Sequence, residues 1–464
     1  MSNIKTFKVI IIGGGPSGLA LAHMLHLAGI DYKLYDKRKD LCERRGAGLA
    51  IQPQNCRILE QLGILDKVIQ QELAPEMQVH REVNADGKIV AEYPFFRWLK
   101  ENHGYTMLLF ERWQYLKLLY DALPDRESHV LTDKTLQSLW MIGDARVGVR
   151  FTDGSEDEGS IVIGADGVYS RVRDCVIHQA PKSVFEHKSY RISFRALYGV
   201  GTLPAGLDSG VVREIPHQGW WFQIISQPQR VFWMLYQALD RPTTHATFYR
   251  EEEAEALAAQ YEDCPVGEGL TLRDLRASKT FEKLAVLEEG IAPKWYWKRV
   301  VLIGDAVHKV TPNQAHGANI GLESAACLVN HLRSLIKLSP NPTETQLEQV
   351  FHAYQAVRAP ATAAYLKGTS FHLRTLAGVG LSPWQRFKSQ YILPRLGARW
   401  ILDHQISPLQ AQGVKLDFID LGNAHDEIRV PYRDTERRRG WSTCTRIMTR
   451  LADSKSKPLS KDAQ

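Results

Sequence analysis

Three places in the chain join an apolar run to glycine and a single carboxylate, and these are the residues whose spacing could do chemistry. The first is Gly13-Gly14-Gly15-Pro16-Ser17-Gly18, in which Gly13, Gly15 and Gly18 fit G-x-G-x-x-G. The first glycine of that pattern permits a tight turn, the second lets a diphosphate approach the backbone, and the third lets helix and strand pack closely. The helix that follows brings unpaired N–H groups and a partial positive charge to the phosphates. Asp36 ends the next apolar run, Tyr32-Lys33-Leu34-Tyr35, about 20 residues beyond the glycines, where a carboxylate meets a ribose hydroxyl. The second place is Gly164-Ala165-Asp166-Gly167, with Ser170 at the start of a helix. The third is Gly304-Asp305-Ala306, followed by His308, Pro312, Asn313, Gly317, Ala318 and Asn319. Each points backbone amides at something anionic or polar, and the first specifies a dinucleotide-binding βαβ unit.

The elements that position these residues are legible in outline. Phe7–Ile12 is a β-branched run of the kind that forms a buried parallel strand, and Leu19–Leu25 consists of helix formers. The small residues Gly46–Ala50 suit either a backbone running close to a cofactor or a surface loop entering a strand. Asn55–Leu65 has helical spacing, and Gln78–Tyr93 reads as a hairpin turning at Ala85-Asp86-Gly87. Glu111–Leu119 predicts a helix with Arg112 in its first turn. A cation is misplaced there against the helix dipole, so Arg112 either meets a phosphate or is solvated. Val147–Phe151 and Ser160–Ile163 bracket a turn at Thr152–Ser155. Phe185–Leu239 is rich in aromatics and reads as a mostly antiparallel sheet. One face could wall an apolar substrate cavity, with Trp220, Phe222 and Trp233 as pocket candidates, although aromatics in a sheet also make ordinary core. Glu251–Tyr261 and Gly321–Leu335 are expected helices, and the chain to Leu421 is helical in composition.

Composition narrows the class. The chain has 464 residues, 44% hydrophobic and 24% charged, with a net charge of +6, enough for two or three domains and a large core. Basic and acidic residues are interspersed, so nucleic-acid binding is not expected. Cys42, Cys56, Cys175, Cys264, Cys327 and Cys444 are scattered without metal-ligand spacing, which fits a reducing compartment and no metal. The first strand begins almost at once and no apolar stretch is long enough to span a bilayer, so an intracellular protein, cytoplasmic or peripheral on a membrane and not secreted, is expected. The basic segment Arg433–Gln464 reads as a disordered tail, with attachment to an anionic membrane surface as the alternative.

The ordered set G-x-G-x-x-G, GADG and GDA resembles the group A FAD-dependent monooxygenases, with a fold like that of para-hydroxybenzoate hydroxylase. Further stretches are similar to the fungal branch that epoxidises prenyl chains in indole-diterpene and meroterpenoid biosynthesis. These are Asp36-Lys37-Arg38, Glu111-Arg112, Gly304–Asn313, Tyr391–Gly397, Val414–Phe418 and Val430–Tyr432. The resemblance implies an α/β fold: a Rossmann-like FAD-binding domain, an inserted mostly antiparallel β-sheet substrate domain and a C-terminal helical region. The expected bounds are 1–78, 105–180 and 275–336 for the first, 79–104 and 181–274 for the second, and 337–432 for the third. The remaining 433–464 is tail. It also implies FAD as cofactor with Gly13, Gly15, Gly18 and Asp36 at its adenosine end, Ala50 in a backbone contact and Arg112 near the pyrophosphate. Asp305 would meet the ribityl chain and Ala318 the ring. Asp166 would serve both FAD and the nicotinamide donor, and Arg195 would face the flavin as a catalytic residue.

The implied reaction is that of a monooxygenase using NAD(P)H, NADPH favoured, and O₂ through a C4a-hydroperoxyflavin. The expected substrate is small, apolar and prenylated or terpenoid. Aromatic-ring hydroxylation is the alternative, and a flavin-binding oxidase, dehydrogenase or inactive relative the second. Two positions depart from the family pattern. Asp36 stands where relatives usually carry Glu. Ala315-His316 stands where they commonly carry Gly-Gln, which asks Ala315 for a backbone that glycine adopts more cheaply and puts a titratable ring near the flavin.

Overall fold

The computed structural model describes residues 7–44, 46, 48–182, 185, 190–387, 393–421 and 428–431. The basic segment 433–464, Tyr391-Ile392 and Tyr432 lie outside the described residues.

Two large sheets organise the chain, beside three smaller ones of two or three strands among the described residues. The first has six strands in the spatial order Tyr296–Trp297, Val300–Leu302, Ile161–Gly164, Lys8–Ile12, Asp31–Tyr35, Val130–Leu131, and all but the outermost Tyr296–Trp297 run parallel. Val9, Ile10, Ile11, Ile161, Val162 and Val301 are wholly buried, because a parallel sheet is covered on both faces and its strands are apolar throughout. The helix Pro16–Ala28 leaves the first strand at the glycine turn and packs on the helix His316–Leu338. Ser17 sits in that joint: a Cβ on Gly304 would lie 2.8 Å from its Oγ, and one on Gly321 2.2 Å. The three motif turns therefore meet at one end of the parallel sheet.

The second sheet has eight strands in the order His308–Lys309, Lys279–Ile291, Arg191–Gly201, Arg230–Thr243, Trp220–Gln227, Val211–Pro216, Val79–Val83, Ile89–Tyr93. It is antiparallel except where Val211–Pro216 runs beside Val79–Val83. Its outer face packs Leu197, Phe222, Ile224, Trp233 and Leu235 against Leu257 and Ala258 of the helix Glu251–Gln260. Its inner face packs Phe194, Ala196, Trp221 and Tyr236 against Leu373 and Ala377, at and just after the end of the helix Glu344–Leu376. Farther along the same face Val212, Ile225 and Phe232 meet Ala50 and Leu109. The inner face is thus the one turned to the motif turns.

The architecture is the α/β arrangement expected, with corrections to its bounds. The segment assigned to the first domain from residue 275 begins too early. Lys279–Ile291 pairs along Arg191–Gly201 and belongs to the antiparallel sheet. The crossing comes at Ala292, whose N–H donates to the Val307 carbonyl at 2.8 Å. The turn at Thr152–Ser155 joins Arg146–Phe151 to Glu156–Gly159, and Ile161–Gly164 departs into the parallel sheet. The hairpin at Val79–Tyr93 forms as read. The helix expected from Gly321 starts at His316. Beyond it runs the 33-residue helix Glu344–Leu376, opened by a Thr343/Gln346 capping box and containing Pro360. No helix among the described residues is long and apolar enough to cross a membrane.

Candidate active site

The glycine turn has a specific shape. Gly13 adopts φ +109°, and a Cβ there would stand 2.5 Å from the Ala165 carbonyl, so the first and second motif turns touch through it. A Cβ on Gly18 would fall 1.8 Å from the Gly13 carbonyl. Gly15 differs: no described atom comes within 4 Å of its Cβ position, and no side chain caps the helix that follows. Open space therefore lies in front of a bare helix N-terminus, the surroundings an anion takes. Asp36 is buried and accepts from Gly14 N at 2.6 Å and from Arg38 N at 2.8 Å and Nε at 2.9 Å. Burial pushes its carboxyl upward, but the Arg38 pair outweighs this and holds it below the ordinary value. A ribose hydroxyl at this carboxylate would share it with Arg38, a residue that sequence reading assigned no role.

Arg112, Asp166, Asp305, His316 and His372 combine solvent access with deep enclosure, and they mark an interior cleft. Arg112 opens the helix Arg112–Ala122, where Glu111 and Gln114 form the capping box and leave the arginine free to turn inward. Enclosure lowers its pKa, with Asp305 and Tyr198 opposing. Burial raises the Asp305 carboxyl, but Lys309, His308 and Arg112 outweigh it and keep the group ionised. Gly46 abuts Arg112: its Cβ position is 3.0 Å from Arg112 Cδ. Asp166 serves a local task, accepting from Ser170 Oγ at 2.6 Å and Val172 N at 3.1 Å at the start of the helix Arg171–Gln179.

Across the cleft, the loop Thr311–His316 leads into the helix that presents Ala318. Ala315 adopts φ +56°, the left-handed region that disfavours a side chain. Asn319 holds this corner: its Nδ2 donates to the Ala50 and Ala315 carbonyls, and its Oδ1 accepts from Gln52 N and Asn55 Nδ2. All four hydrogen-bonding positions of the amide are filled. It ties the strand Gly48–Ile51 to the first turn of the helix and so fixes the Ala50 and Ala318 backbones relative to each other. The His316 ring lies 4.5 Å from that of Tyr365, and burial lowers its pKa to about 4, so the ring is neutral near pH 7.

Four proposed site residues do not reach this cleft. Strand side chains alternate between faces, and register places Trp220, Phe222 and Trp233 on the outer face of the large sheet. Arg195 pairs with Gln237 and shares that face. Its Nε donates to Gln237 Oε1 at 2.7 Å, and Gln237 in turn donates to the Tyr261 hydroxyl at 2.8 Å. Its expected position facing the flavin is thereby corrected. The neighbours one residue out of phase line the inner face: Tyr198, Trp221, Phe232, Met234 and Tyr236. Sequence reading also passed over a polar group on this face, Glu214 with His80, Gln223 and His372. The available signal was a glutamate and a glutamine on the inward phase of two largely apolar strands.

The cleft suits an elongated cofactor with an anionic middle and a polyol arm. Gly15 leaves room for a diphosphate at a helix N-terminus, Arg112 supplies an enclosed cation, and Asp305 supplies an ionised acceptor nearby. Comparison with known proteins agrees. A family model described as an FAD binding domain matches residues 6–368. The chain is 34% identical over 429 residues to the FAD-dependent monooxygenase esdpE of Penicillium shearii, covering 90% of this chain and 87% of the relative. It is 32% identical over 427 residues to the FAD-dependent monooxygenase spyC of Aspergillus fumigatus, covering 89% and 88%. Among solved structures, Klebsiella pneumoniae HpxO complexed with FAD and uric acid superposes with a TM-score of 0.71 at 18% identity, covering 87% of this chain and 96% of that one. A salicylate hydroxylase substrate complex gives 0.66 at 18% identity, covering 88% and 98%. At these identities the structures speak for the fold.

Proposed function

The chain belongs to the FAD-binding-domain family of FAD-dependent monooxygenases, and on that premise we propose that it epoxidises an alkene of a prenylated or terpenoid substrate with NAD(P)H, NADPH foremost, as reductant. The observation that carries this reading is the inner face of the large sheet. Phe194, Trp221, Phe232 and Tyr236 are almost fully buried there, packed against Leu373, Ala377, Ala50 and Leu109, and the partly exposed Tyr198 and Met234 of the same phase extend that apolar surface to the cleft. An alkene needs such a wall and no base, because it reacts as a nucleophile without ionising.

Bound FAD supplies the activation of O₂ that delivers one oxygen atom to the substrate. The chain's own residues do the rest. The N-terminus of Pro16–Ala28 and Arg112 would hold the diphosphate, and Asp36 and Asp305 would accept from the sugar hydroxyls. The amide of Ala318, in the first turn of its helix, would meet the ring, and Asn319 holds that turn against Ala50. Lys309 and Arg112 keep Asp305 ionised so that it accepts and does not donate. The aromatic wall excludes water from the reacting oxygen.

A second reading, hydroxylation of an activated aromatic ring, draws support from the Glu214 group, since a phenol reacts best once its proton is removed. The relatives' names state monooxygenation and leave both readings open. Product analysis by mass spectrometry separates them. The full chain with FAD, NADPH and a panel of prenylated aromatics is expected to yield an epoxide on the prenyl chain. Ring-hydroxylated product with the alkene intact would give the second reading the place of the first. Oxidation of NADPH without any oxygenated product would sink both.

A further inference from the structure

The C-terminal helical region leaves aromatic rings in solvent. Phe371, near the end of the helix Glu344–Leu376, is 67% exposed. Trp384 and Phe387, on the helix Pro383–Phe387, are 64% and 48% exposed and stack on each other at 5.8 Å. Trp400, on the helix Leu393–Ile401, is 56% exposed. Trp384 and Trp400 are the only exposed tryptophans among the described residues. The other exposed large apolar side chains, Leu27, Ile69, Ile89, Tyr169, Phe248 and Leu338, are spread over six different elements and loops. Large rings held in water over one stretch of chain mark a surface that meets another molecule or another phase.

The chain's surplus charge leaves the fold beside these rings. Asp403, in the turn after Trp400, accepts from Arg399 Nε at 3.0 Å and from Arg429 Nη2 at 3.0 Å. Arg429 N donates to the Glu101 carbonyl at 3.3 Å and Val430 N to the Asn102 carbonyl at 3.0 Å. Val430 is thereby pinned next to the helix of Trp400, and Arg433 follows within about 10 Å of chain. Arg433–Gln464 holds nine Lys and Arg against four Asp and Glu, a net of +5 out of +6 for the whole chain. The residues before it are therefore nearly neutral in sum, and the positive charge is delivered to one place. Within that segment Trp441, Ile447, Met448 and Leu451 are interleaved with Arg446 and Arg450 in the sequence.

We propose that the surface carrying Phe371, Trp384, Phe387 and Trp400, together with the basic segment beside it, docks the protein on an anionic lipid bilayer. Tryptophan and phenylalanine settle at the level of the headgroups, where the ring leaves water and an indole N–H still finds an acceptor. Lys and Arg are drawn to an anionic leaflet once they come within a Debye length of it. The two attractions act together: a few rings hold a protein weakly on a neutral bilayer, and cations alone are screened by salt. A second copy of the chain fits the surface less well, since it would set one basic end against another. The place also suits the chemistry of the cleft. Phe371 directly precedes His372, one of the groups that enclose the cleft. Leu402 and Ile406, just after Trp400, join the apolar cluster that includes Ala50, Phe232 and Ala315. The same helices thus reach from the exposed rings to the cleft. The inference rests on exposure and charge and not on the epoxidase reading, and it gives that reading a source for an apolar substrate.

Co-sedimentation of the FAD-loaded full chain with lipid vesicles tests this. Vesicles of phosphatidylcholine mixed with phosphatidylserine are compared with vesicles of phosphatidylcholine alone. The chain is expected to bind the anionic vesicles at least about tenfold more tightly than the neutral ones, and added salt should weaken that binding. Trp384→Ala with Trp400→Ala should weaken it about tenfold, and so should Arg437→Glu, Arg438→Glu and Arg439→Glu made together. Phe248→Ala, which removes the most exposed of the other rings, should leave it unchanged. Retained FAD absorbance certifies that each variant is folded. Where Trp400→Ala fails that check, Trp384→Ala alone is read, with an expected loss of about threefold. No binding to anionic vesicles, equal binding to neutral ones, or full binding by the tryptophan or arginine variants overturns the proposal. So does a lipid-free dimer that the tryptophan variant dissociates, which would give the surface to a second copy. The readout involves no turnover, so failure to find an epoxide would strike the epoxidase reading and leave this result standing.

Discussion

Ala315 holds a backbone conformation that its methyl group opposes. At φ +56° an L-residue other than glycine carries a strain of about 1–2 kcal/mol, partly offset by the lower entropy of alanine in the unfolded chain. Ala315→Gly is therefore expected to stabilise the protein by about 0.5–1 kcal/mol, read as a raised urea midpoint. No change or a loss would show that the loop relaxes around alanine. This residue was legible beforehand, because the glycine expected there is needed for a reason that backbone sterics state. Asp36 was legible in place but not in pairing. Nothing in the spacing of Asp36 and Arg38 says that the arginine folds back onto the carboxylate, since that depends on the turn between them. Arg195 was misplaced for a similar reason. Its side chain follows the phase of one strand, and a one-residue change in phase moves it to the opposite face.

At the scale of the element, the large sheet explains the pocket error. Its strands carry aromatics on both faces, Trp220 and Phe222 outward and Trp221 and Tyr236 inward, so alternation is present but both phases look apolar. The positions of the strands were readable and their facing was not. The helix over the outer face, Glu251–Gln260, decides it. Trp221→Phe is accordingly expected to change the apparent KM for substrate several-fold, whereas Trp233→Phe should affect stability alone. Steady-state kinetics beside a denaturation curve check this, and a KM change in Trp233→Phe with none in Trp221→Phe would reverse the assignment. Arg195→Ala should cost about 1 kcal/mol of stability for the lost Gln237 contact and leave the rate of flavin reduction unchanged. The helices His316–Leu338 and Glu344–Leu376 are joined by an ion pair that no local pattern announces. Glu323 and Arg358 lie 2.8 Å apart with side chains 2% and 1% exposed. Glu323→Gln leaves that arginine buried without its counter-charge and is expected to cost about 3–5 kcal/mol, read from the thermal midpoint.

For the whole molecule, the pH response is set by buried histidines. Burial lowers His23, His103, His217, His308, His316 and His331 to about 4 from the ordinary 6.5. Between those values the unfolded chain binds more protons than the folded one, so stability falls as pH drops from 6.5 toward 4 and these groups have no effect above that window. Glu82 acts oppositely: its raised pKa of about 7 means that the folded chain holds the extra proton between 4.5 and 7, and its contribution weakens as pH rises through that range. The histidines outnumber it. The unfolding midpoint is expected to fall steeply on acidification below pH 6.5, and His316→Gln should flatten that slope by up to about one proton. A slope unchanged in that variant would show that His316 titrates normally in the folded chain.

The strand order carries a consequence for how the molecule is made. Ile161–Gly164 pairs with Val300–Leu302, and five of the eight strands of the antiparallel sheet, from Arg191 to Ile291, are threaded between them in the chain. Closing so long a loop is entropically dear while the intervening chain is loose, and less so once that chain has condensed. During synthesis, Val300–Leu302 also leaves the ribosome after the sheet it encloses. Assembly should run from the insert outward, with the cofactor cleft among the last features to form, because Gly304-Asp305 follows directly on that final strand. Pulse-labelled hydrogen exchange during refolding would show amides of Val211–Pro216 and Trp220–Gln227 protected before those of Val300–Leu302, and the reverse order would refute it. Cofactor supplied early would then find half a site, the glycine turn alone, and would act on the end of folding and not on its start.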